Sequence, residues 1–295
     1  FHTISNFKFM KKYMFSKKQL IKLNTRFLVS IVTVTIFLVS CEKIISVDLK
    51  TEAARLVVDA SINWKKGTAG NQQIIKLTTT AGYNQNTIPV ASGAIVTVTN
   101  SANTIFIFTE ESASGIYVCN NFIPVINENY KLKIVYNGET YISEESLKLT
   151  PKISDVEQEN DLGFNNDEIG IKINFKDTAN QRNFYMMRID FAESPYPEYQ
   201  VLDDQFSDGN KITWPYSHIK LATGKILKFT QFGISESYSN YMRILIAAST
   251  GSNNGPFQVT PVKVRGNILN QTNTSNYPLG YFRLSETSDS VYTIN

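Results

Sequence analysis

Short segments in which apolar and polar residues alternate most constrain the fold of this chain. The run 130–136 is one, and a second, 139–143, follows it directly after Asn137 and Gly138. Asn-Gly supplies the two positive φ angles that a type I′ turn requires, so the pattern predicts a β-hairpin. Because a hairpin buries only one face, it needs further strands around a common core.

Further β patterns extend along the chain and are separated by turn residues. They lie at 56–62, 72–80, 94–99, 104–108, 169–175, 184–191 and 226–232. Short strands with frequent turns predict a mainly all-β chain. We expect an immunoglobulin-like β-sandwich over residues 54–150. Pro151, which has no backbone N–H to pair, marks the expected start of a second β-rich domain, 151–295.

One helix is predicted in the second domain, near residues 236–249. Ser235 is a suitable N-cap, and apolar residues then recur at helical spacing from Tyr238 to Ala248. Gly251 is the expected end. We expect the aromatic stripe of this helix to pack against the sheet.

The first 40 residues read as a secretory signal peptide. A basic stretch precedes the 14 apolar-rich residues 27–40, which are too few to span a bilayer comfortably. Translation is expected to start at Met10 or Met14. The run ends in Leu38-Val39-Ser40-Cys41, which resembles a bacterial lipobox. Cys41 is therefore the predicted lipidation site, and residues 41–53 are the predicted lipidated N-terminus and tether.

The mature chain is mildly acidic. Residues 1–40 contain seven basic residues and no acidic one, so the 29 basic and 26 acidic residues of the chain leave 22 and 26 after them, a net charge of −4. Such a balance disfavours a nucleic-acid partner, which needs clustered cations. With Cys41 acylated, Cys119 has no disulfide partner, and we expect it to be a buried thiol.

Several segments, taken in order, resemble Bacteroidota lipoproteins that contain the domain of unknown function 4249 (DUF4249). These segments are 41–49, 56–60, 92–98, 130–134, 150–155, 235–241, 255–257, 266–268 and 279–282, and the resemblance covers roughly 41–286. It implies a lipid-anchored outer-membrane protein beside a TonB-dependent receptor, either in nutrient uptake or in receptor assembly. Glu42 does not match the signal for inner-membrane retention. Whether the anchored protein faces the cell surface or the periplasm stays open.

Aromatic residues offer a candidate ligand surface in the second domain. Trp214, Tyr216, Tyr196 and Tyr199 could stack on a glycan or a peptide. A surface binding module is therefore the alternative function. The competing interpretation is that these rings fill a β core.

An enzyme is the least expected function, with a hydrolase as its most plausible form. His218 is the only histidine after residue 40, and neither a nucleophile elbow nor a P-loop is present. Ser217 is adjacent to His218, and neighbouring residues of a strand point to opposite faces. We therefore predict no catalytic residues and no cofactor.

Two acidic groups raise the question of calcium, which prefers oxygen ligands. One contains Asp203, Asp204, Asp208 and Asn210, and the other contains Glu157, Glu159, Asp161, Asp167 and Glu168. Phe206 occupies a position where an EF-hand needs an oxygen ligand. We therefore predict solvated turns and no metal site.

Overall fold

The computed structural model describes residue 29 and residues 53–82, 85–162, 168–249 and 264–295. Glu52–Asn295 forms one compact unit, and Phe1–Thr51 is counted as a separate one. The predicted signal peptide, Cys41 and nearly all of the predicted tether therefore lie outside the described residues. No helix among the described residues is long and apolar enough to cross a membrane.

The described chain is mainly β, with one long helix near its C-terminal part. Its strands are β1 (Leu56–Lys65), β2 (Gln73–Thr79), β3 (Ile95–Asn100), β4 (Ile105–Glu110), β5 (Ile116–Cys119), β6 (Asn129–Tyr136), β7 (Glu139–Lys148), β8 (Ile153–Leu162), β9 (Glu168–Lys176), β10 (Phe184–Phe191), β11 (Glu198–Asp203), β12 (Lys211–Ser217), β13 (Ile226–Ile234), β14 (Leu269–Asn270) and β15 (Leu279–Thr293). Helix α1 spans Glu236–Ser249.

Eight strands close into a barrel-like sheet, which we call the ring. Its order is β15-β1-β2-β5-β4-β3-β6-β7, and β7 pairs with β15 again through Leu147 and Leu284. Alternate residues of each strand point inward, as Leu56, Val58 and Ala60 do on β1. β6 and β7 form the predicted hairpin, with positive φ at both turn residues.

The last strand, β15, joins the two parts of the unit. Its first half pairs in parallel with β1 as far as Thr287, and its second half pairs antiparallel with β13 from Thr287 onward. The middle of β15 is polar and buried. There Arg283 donates to Asn63 Oδ1 at 2.9 Å, and Lys66 Nζ lies 2.7 Å from Glu286 Oε2.

The remaining elements form three layers, which we call the layered region. The three-stranded sheet β12-β9-β8 covers one face of β11-β10-β13 and the end of β15, and helix α1 covers the other face. β10 is consequently buried on both faces: Tyr185 and Met187 point to the three-stranded sheet, while Phe184 and Met186 point to the helix.

The predicted helix is confirmed, and Ser235 caps it as expected. Ser235 Oγ accepts a hydrogen bond from Tyr238 N at 3.2 Å, which satisfies one of the free donors of the first turn. The predicted end at Gly251 lies outside the described residues. The mainly-β class is also confirmed, whereas the immunoglobulin-like sandwich for 54–150 is not, because the strands of this segment close through β15 into the ring.

The predicted division at Pro151 stays a prediction. One hydrophobic core lies inside the ring and a second lies between the two sheets of the layered region, but the first core is not confined to residues before Pro151. β15 contributes Phe282 and Leu284 to the first core, and the residue pair Tyr292 and Ile294 at its end packs in the second.

Candidate functional site

The aromatic surface expected around Trp214 does not form, because Trp214 and Tyr216 belong to the core. They are 4% and 2% exposed. β12 turns alternate residues inward, so both side chains point into the space between the two sheets. The indole Nε1 of Trp214 donates to Gln200 Oε1 at 2.6 Å, which satisfies its single donor inside the protein.

Tyr196 and Tyr199 do not complete a surface with these two residues. Tyr196 lies in the turn before β11 and is 78% exposed. Tyr199 packs against the core beneath helix α1, on the face of β11 opposite to Gln200 and Trp214. The four predicted ligand-binding residues are therefore divided between the core, a turn and the helix-side face.

His218 lies directly after β12 and is held by local contacts. Its Nδ1 accepts a hydrogen bond from Lys220 N at 3.0 Å, and its Nε2 lies 3.6 Å from Glu198 Oε1. Its ring also packs on Phe191 at 4.9 Å between centroids. In the described part of the chain, no serine, threonine or cysteine side chain bonds to this imidazole. These contacts lack the nucleophile that a triad requires.

An acidic cluster does form, but its residues are not the ones that were predicted. Asp177, Asp204 and Asp208 place carboxylate oxygens within 4.8 Å of one another, and the first two side chains are buried. Asp203 instead faces cations, with Arg243 Nη2 at 3.4 Å from its Oδ2. Asn210 contributes its backbone carbonyl to Asp177 N at 2.9 Å. Carboxylates of this kind are the ligand type that could hold a cation such as calcium.

Protein donors already occupy much of this cluster. One oxygen of Asp177 accepts from the Tyr185 hydroxyl and from Asn183 Nδ2, and the other accepts from Gly209 N at 2.8 Å. Asp204 Oδ2 accepts from Asn183 N at 2.8 Å. Burial raises the pKa of Asp204, and the charge of Asp177 raises it further. The bonds tie the end of β9 to the loop before β12.

Asp177 was missed because its sequence position lies far from the loop. Strand pairing provides the signal: β9 and β12 are antiparallel, with Lys176 opposite Lys211, so the residue after β9 must meet the residue before β12.

The prediction that the second acidic group lies in a loop is wrong. Glu157 and Glu159 lie on β8, and Glu159 pairs with Lys172 at 2.6 Å. The side chains of Asp161, Asp167 and Glu168 lie outside the described residues.

A cleft opens where the chain enters β1. Its volume is about 530 Å³. It is lined by Ala54, Leu56, Thr79, Pro89, Val90, Tyr136, Asn137, Glu139, Tyr141 and Asn276. Glu139 Oε2 accepts from the Tyr141 hydroxyl at 2.5 Å and from Asn276 Nδ2 at 2.7 Å. These donors lower the pKa of Glu139, the Tyr141 hydroxyl first.

Two arginines and a tyrosine lie beside this cleft. The guanidinium carbons of Arg55 and Arg265 are each 4.0 Å from the centroid of the Tyr277 ring. Two planar cations cannot share one ring face at that distance, so the ring lies between them. Arg55 Nη1 also donates to Ser275 O at 3.1 Å. The arrangement fixes two positive charges close to the start of β1.

The comparison with protein families finds one matching model, "Domain of unknown function (DUF4249)", over residues 42–290. No curated protein matches the chain.

Three solved structures illustrate the range of structural similarity. A DUF4785 family protein from Legionella pneumophila is 10% identical with a TM-score of 0.25; the match covers 62% of this chain and 54% of that one, about half its length. A two-domain fibronectin type-III segment of chicken tenascin is 8% identical with a TM-score of 0.21, covering 54% and 83%. A cytokine receptor complex is 6% identical with a TM-score of 0.25, covering 61% and 85%. Scores this low carry no argument about this protein.

Proposed function

The chain belongs to the DUF4249 family, and we propose that it is a lipid-anchored outer-membrane lipoprotein that acts without catalysis beside a TonB-dependent receptor, in nutrient uptake or receptor assembly. The observation that carries the proposal is the position of Cys41. The family match starts at residue 42, directly after the Leu38-Val39-Ser40-Cys41 sequence. A mature chain that begins at Cys41 therefore retains the whole matched region.

The anchor follows from the chemistry of that cysteine. Its thiol is the nucleophile that would take a diacylglyceryl group from phosphatidylglycerol, with glycerol phosphate as the leaving group. Hydrolysis of the peptide bond before Cys41 would then expose an amine for further acylation. Two or more acyl chains give stable membrane attachment, whereas one gives only reversible binding. The anchor and the localisation are thus one proposal.

The absence of catalysis is proposed from the polar groups that have been described. The imidazole of His218 is held by Lys220 and faces Glu198. The carboxylates of Asp177 and Asp204 accept bonds that close a loop. Each group has a structural role that accounts for its position, and none requires a substrate.

A glycan- or peptide-binding module is the second function that the sequence suggested, and it loses its main support. Its surface depended on Trp214 and Tyr216, which are buried. For residues 54–150 an immunoglobulin-like sandwich stays a proposal: the antiparallel strands of this segment around one core support it, whereas their closure through β15 into the ring speaks against it.

The first experiment tests the anchor. Cells that produce the full chain are labelled with palmitate, and we expect incorporation that Cys41→Ala abolishes. Cys119→Ala is the matched control, because it removes the other cysteine and should leave labelling unchanged. Equal labelling of wild type and Cys41→Ala would contradict the anchor.

The second experiment tests the partner. The acylated chain is extracted in mild detergent and purified through an affinity tag, and we expect a TonB-dependent β-barrel receptor to copurify at a fixed ratio. An unrelated outer-membrane lipoprotein with the same tag is the control for shared detergent micelles. Recovery of the receptor with both proteins, or with neither, would overturn the partnership while leaving the anchor intact.

A further inference from the structure

We propose that Asn137, in the turn between β6 and β7, is a chemical modification site at which the folded protein loses the side-chain amide and accumulates isoaspartate. The reaction needs water as its only partner and no enzyme. The site belongs to the ring, so it does not depend on the lipid anchor or on the receptor.

The turn exposes both reacting groups and leaves space around them. Asn137 has a φ of 48° and Gly138 a φ of 76°, and both residues are exposed. A Cβ added at Gly138 would meet nothing within 4 Å, so a five-membered ring between the two residues has room to form. Because glycine has no Cβ, its backbone rotates freely enough to bring its nitrogen toward the Asn137 side chain.

Other turns of the protein provide comparison sites with the same residue type and the same backbone sign. Four exposed asparagines of the described residues have a positive φ: Asn103, Asn127, Asn137 and Asn180. After the first of them, Thr104 N donates to Asn100 Oδ1 at 2.8 Å. After the second, Glu128 N donates to Val125 O at 3.2 Å. The nitrogen that would attack is therefore already held at both sites.

The nitrogen that follows Asn137 is not held in this way. Gly138 N has no hydrogen-bond acceptor among the residues that the structure describes, so it can approach the amide without breaking a bond within the protein. Asn180 is followed by Gln181, whose Cβ restricts the rotation that glycine permits. Among these four asparagines, a free nitrogen and a following glycine coincide only at Asn137.

The reaction runs in two steps whose atoms balance. Gly138 N loses its proton and attacks Cγ of Asn137, forming an N–Cγ bond. The Cγ–Nδ2 bond breaks, and the amide nitrogen leaves as ammonia with the proton that it gained. Water then opens the succinimide ring. Cleavage of the N–Cγ bond gives aspartate, and cleavage of the bond from the same nitrogen to the main-chain carbonyl carbon gives isoaspartate.

Either product changes the ring at this turn. Asn137 lines the cleft together with Glu139, so a second carboxylate enters that cleft. Isoaspartate also carries the main chain through Cβ and Cγ, which adds one backbone atom to a two-residue turn that joins Tyr136 to its partner Glu139. A two-residue type I′ turn fixes the register of its hairpin, so the longer turn disturbs the pairing of β6 with β7.

The experiment incubates the purified full chain in neutral buffer and follows Asn137 by mass spectrometry after digestion with trypsin. Cleavage after Lys133 and after Lys148 releases peptide 134–148, which contains one asparagine and no glutamine. The mass gain from amide to acid in this peptide reports Asn137 alone and excludes the other Asn-Gly pair of the sequence, Asn254-Gly255. Chromatography separates its aspartate and isoaspartate forms.

We expect Asn137 to convert roughly tenfold faster than Asn103, because only the first is followed by glycine. The rate should rise with pH, since the attacking nitrogen must lose its proton. Gly138→Ala should slow the conversion of Asn137 by about tenfold. Gly224→Ala also adds a methyl group at a glycine with positive φ and open space, and it should leave this conversion unchanged.

A second measurement tests the effect on the ring. Asn137→Asp carries the new charge on a main chain of normal length, and we expect its Tm to stay close to that of the wild type. The isoaspartate fraction of an aged sample should unfold at a lower Tm, because only this product lengthens the turn.

Three results would overturn the modification site. They are equal rates at Asn137 and Asn103, an unchanged rate in Gly138→Ala, and conversion in urea without conversion in native buffer, which would show that the hairpin protects the amide. An isoaspartate fraction with the Tm of the wild type would contradict the effect on the ring.

Discussion

The ring and the layered region both consist of strands, yet they bury them differently. A ring strand such as β4 buries Phe106 and Phe108 and leaves Ile105 and Ile107 exposed. In the layered region, β10 has a core on each face. A strand with one buried face shows alternation in its sequence, while a strand with two buried faces shows a continuous apolar run. Two different sequence patterns, one alternating and one continuously apolar, thus encode the same secondary structure.

The two regions nevertheless share β15, and this raises the question of whether they unfold separately. β15 supplies Phe282 to the core of the ring and pairs with one edge of β13 in the layered region. Each region also contains one tryptophan, Trp64 beside the first core and Trp214 in the second. Single-tryptophan variants can therefore follow each region separately.

The largest effect is expected from Phe229→Ala in the layered region. Phe229 is fully buried, and removal of a buried phenyl group lowers the free energy of unfolding by about 3 to 5 kcal/mol. Because β15 is shared, we expect the fluorescence transitions of Trp64 and Trp214 in urea to shift together. Lys228→Ala, an exposed neighbour on β13, is the control. A shift confined to Trp214 would mean that the two regions unfold independently.

A somewhat smaller loss is expected from Gly280→Ala at the junction of β15 and β1. Gly280 has a φ of +93°, and an added Cβ would lie 1.9 Å from Val58 O. We expect the free energy of unfolding to fall by about 2 to 4 kcal/mol, from backbone strain and lost pairing. Gly224→Ala shares the positive φ, at +83°, but has open space around it. It should cost only about 1 kcal/mol. If Gly280→Ala and Gly224→Ala lost equal stability in thermal denaturation, the close approach of residue 280 to Val58 O would not be the cause of the loss.

Asp204→Asn should stabilise the layered region at neutral pH by about 1 kcal/mol. Burial raises the pKa of Asp204, so the folded state favours the protonated carboxyl, and this contribution is lost as the pH rises through the folded pKa. The amide keeps an acceptor for Asn183 N and removes the repulsion from Asp177. The gain in Tm should shrink as the pH falls through the raised pKa of Asp204 and should be absent below about 4, where the carboxyl is protonated in both the folded and the unfolded state. Asp208→Asn, at the exposed member of the cluster, is the comparison variant, and a gain that did not depend on pH would refute the charge argument.

The smallest effect is expected at Cys119 in the ring. Burial raises the pKa of this thiol, and its Sγ lies 3.1 Å from Asn121 Oδ1. We expect a thiol reagent to modify Cys119 only when the ring opens, so the modification rate should follow the stability of the ring. Cys119→Ala should cost about 1 kcal/mol. Rapid modification in native buffer would show that the ring opens without the layered region.

The sequence predicted best those elements that local chemistry determines. Asn137 and Gly138 indicated the hairpin through their turn preference, and Ser235 indicated the start of α1 through its capping hydroxyl. The apolar run of β10 indicated a strand without revealing that two layers cover it. In each case the signal lies within a few residues of the element.

The sequence failed where burial depends on distant partners. The middle of β15 contains Arg283, Glu286 and Ser288, residue types that are usually exposed. Their burial is possible because the Asn63 amide, the Lys66 ammonium group and the Ile153 backbone N–H bond to them. Trp214 and Tyr216 read equally well as a ligand surface or as core, and only the covering sheet decides between them. Asp177 joined the acidic cluster through strand register, which no local pattern encodes.

The placement of β15 also bears on how the chain can mature. Synthesis proceeds from the N-terminus, so residues 279–293 are made after β1 and β13, the strands with which they pair. Until then β1 has no partner on one edge and β13 lacks one as well. Each of these strands therefore keeps one open edge until β15 has been made, and neither core is complete before that point.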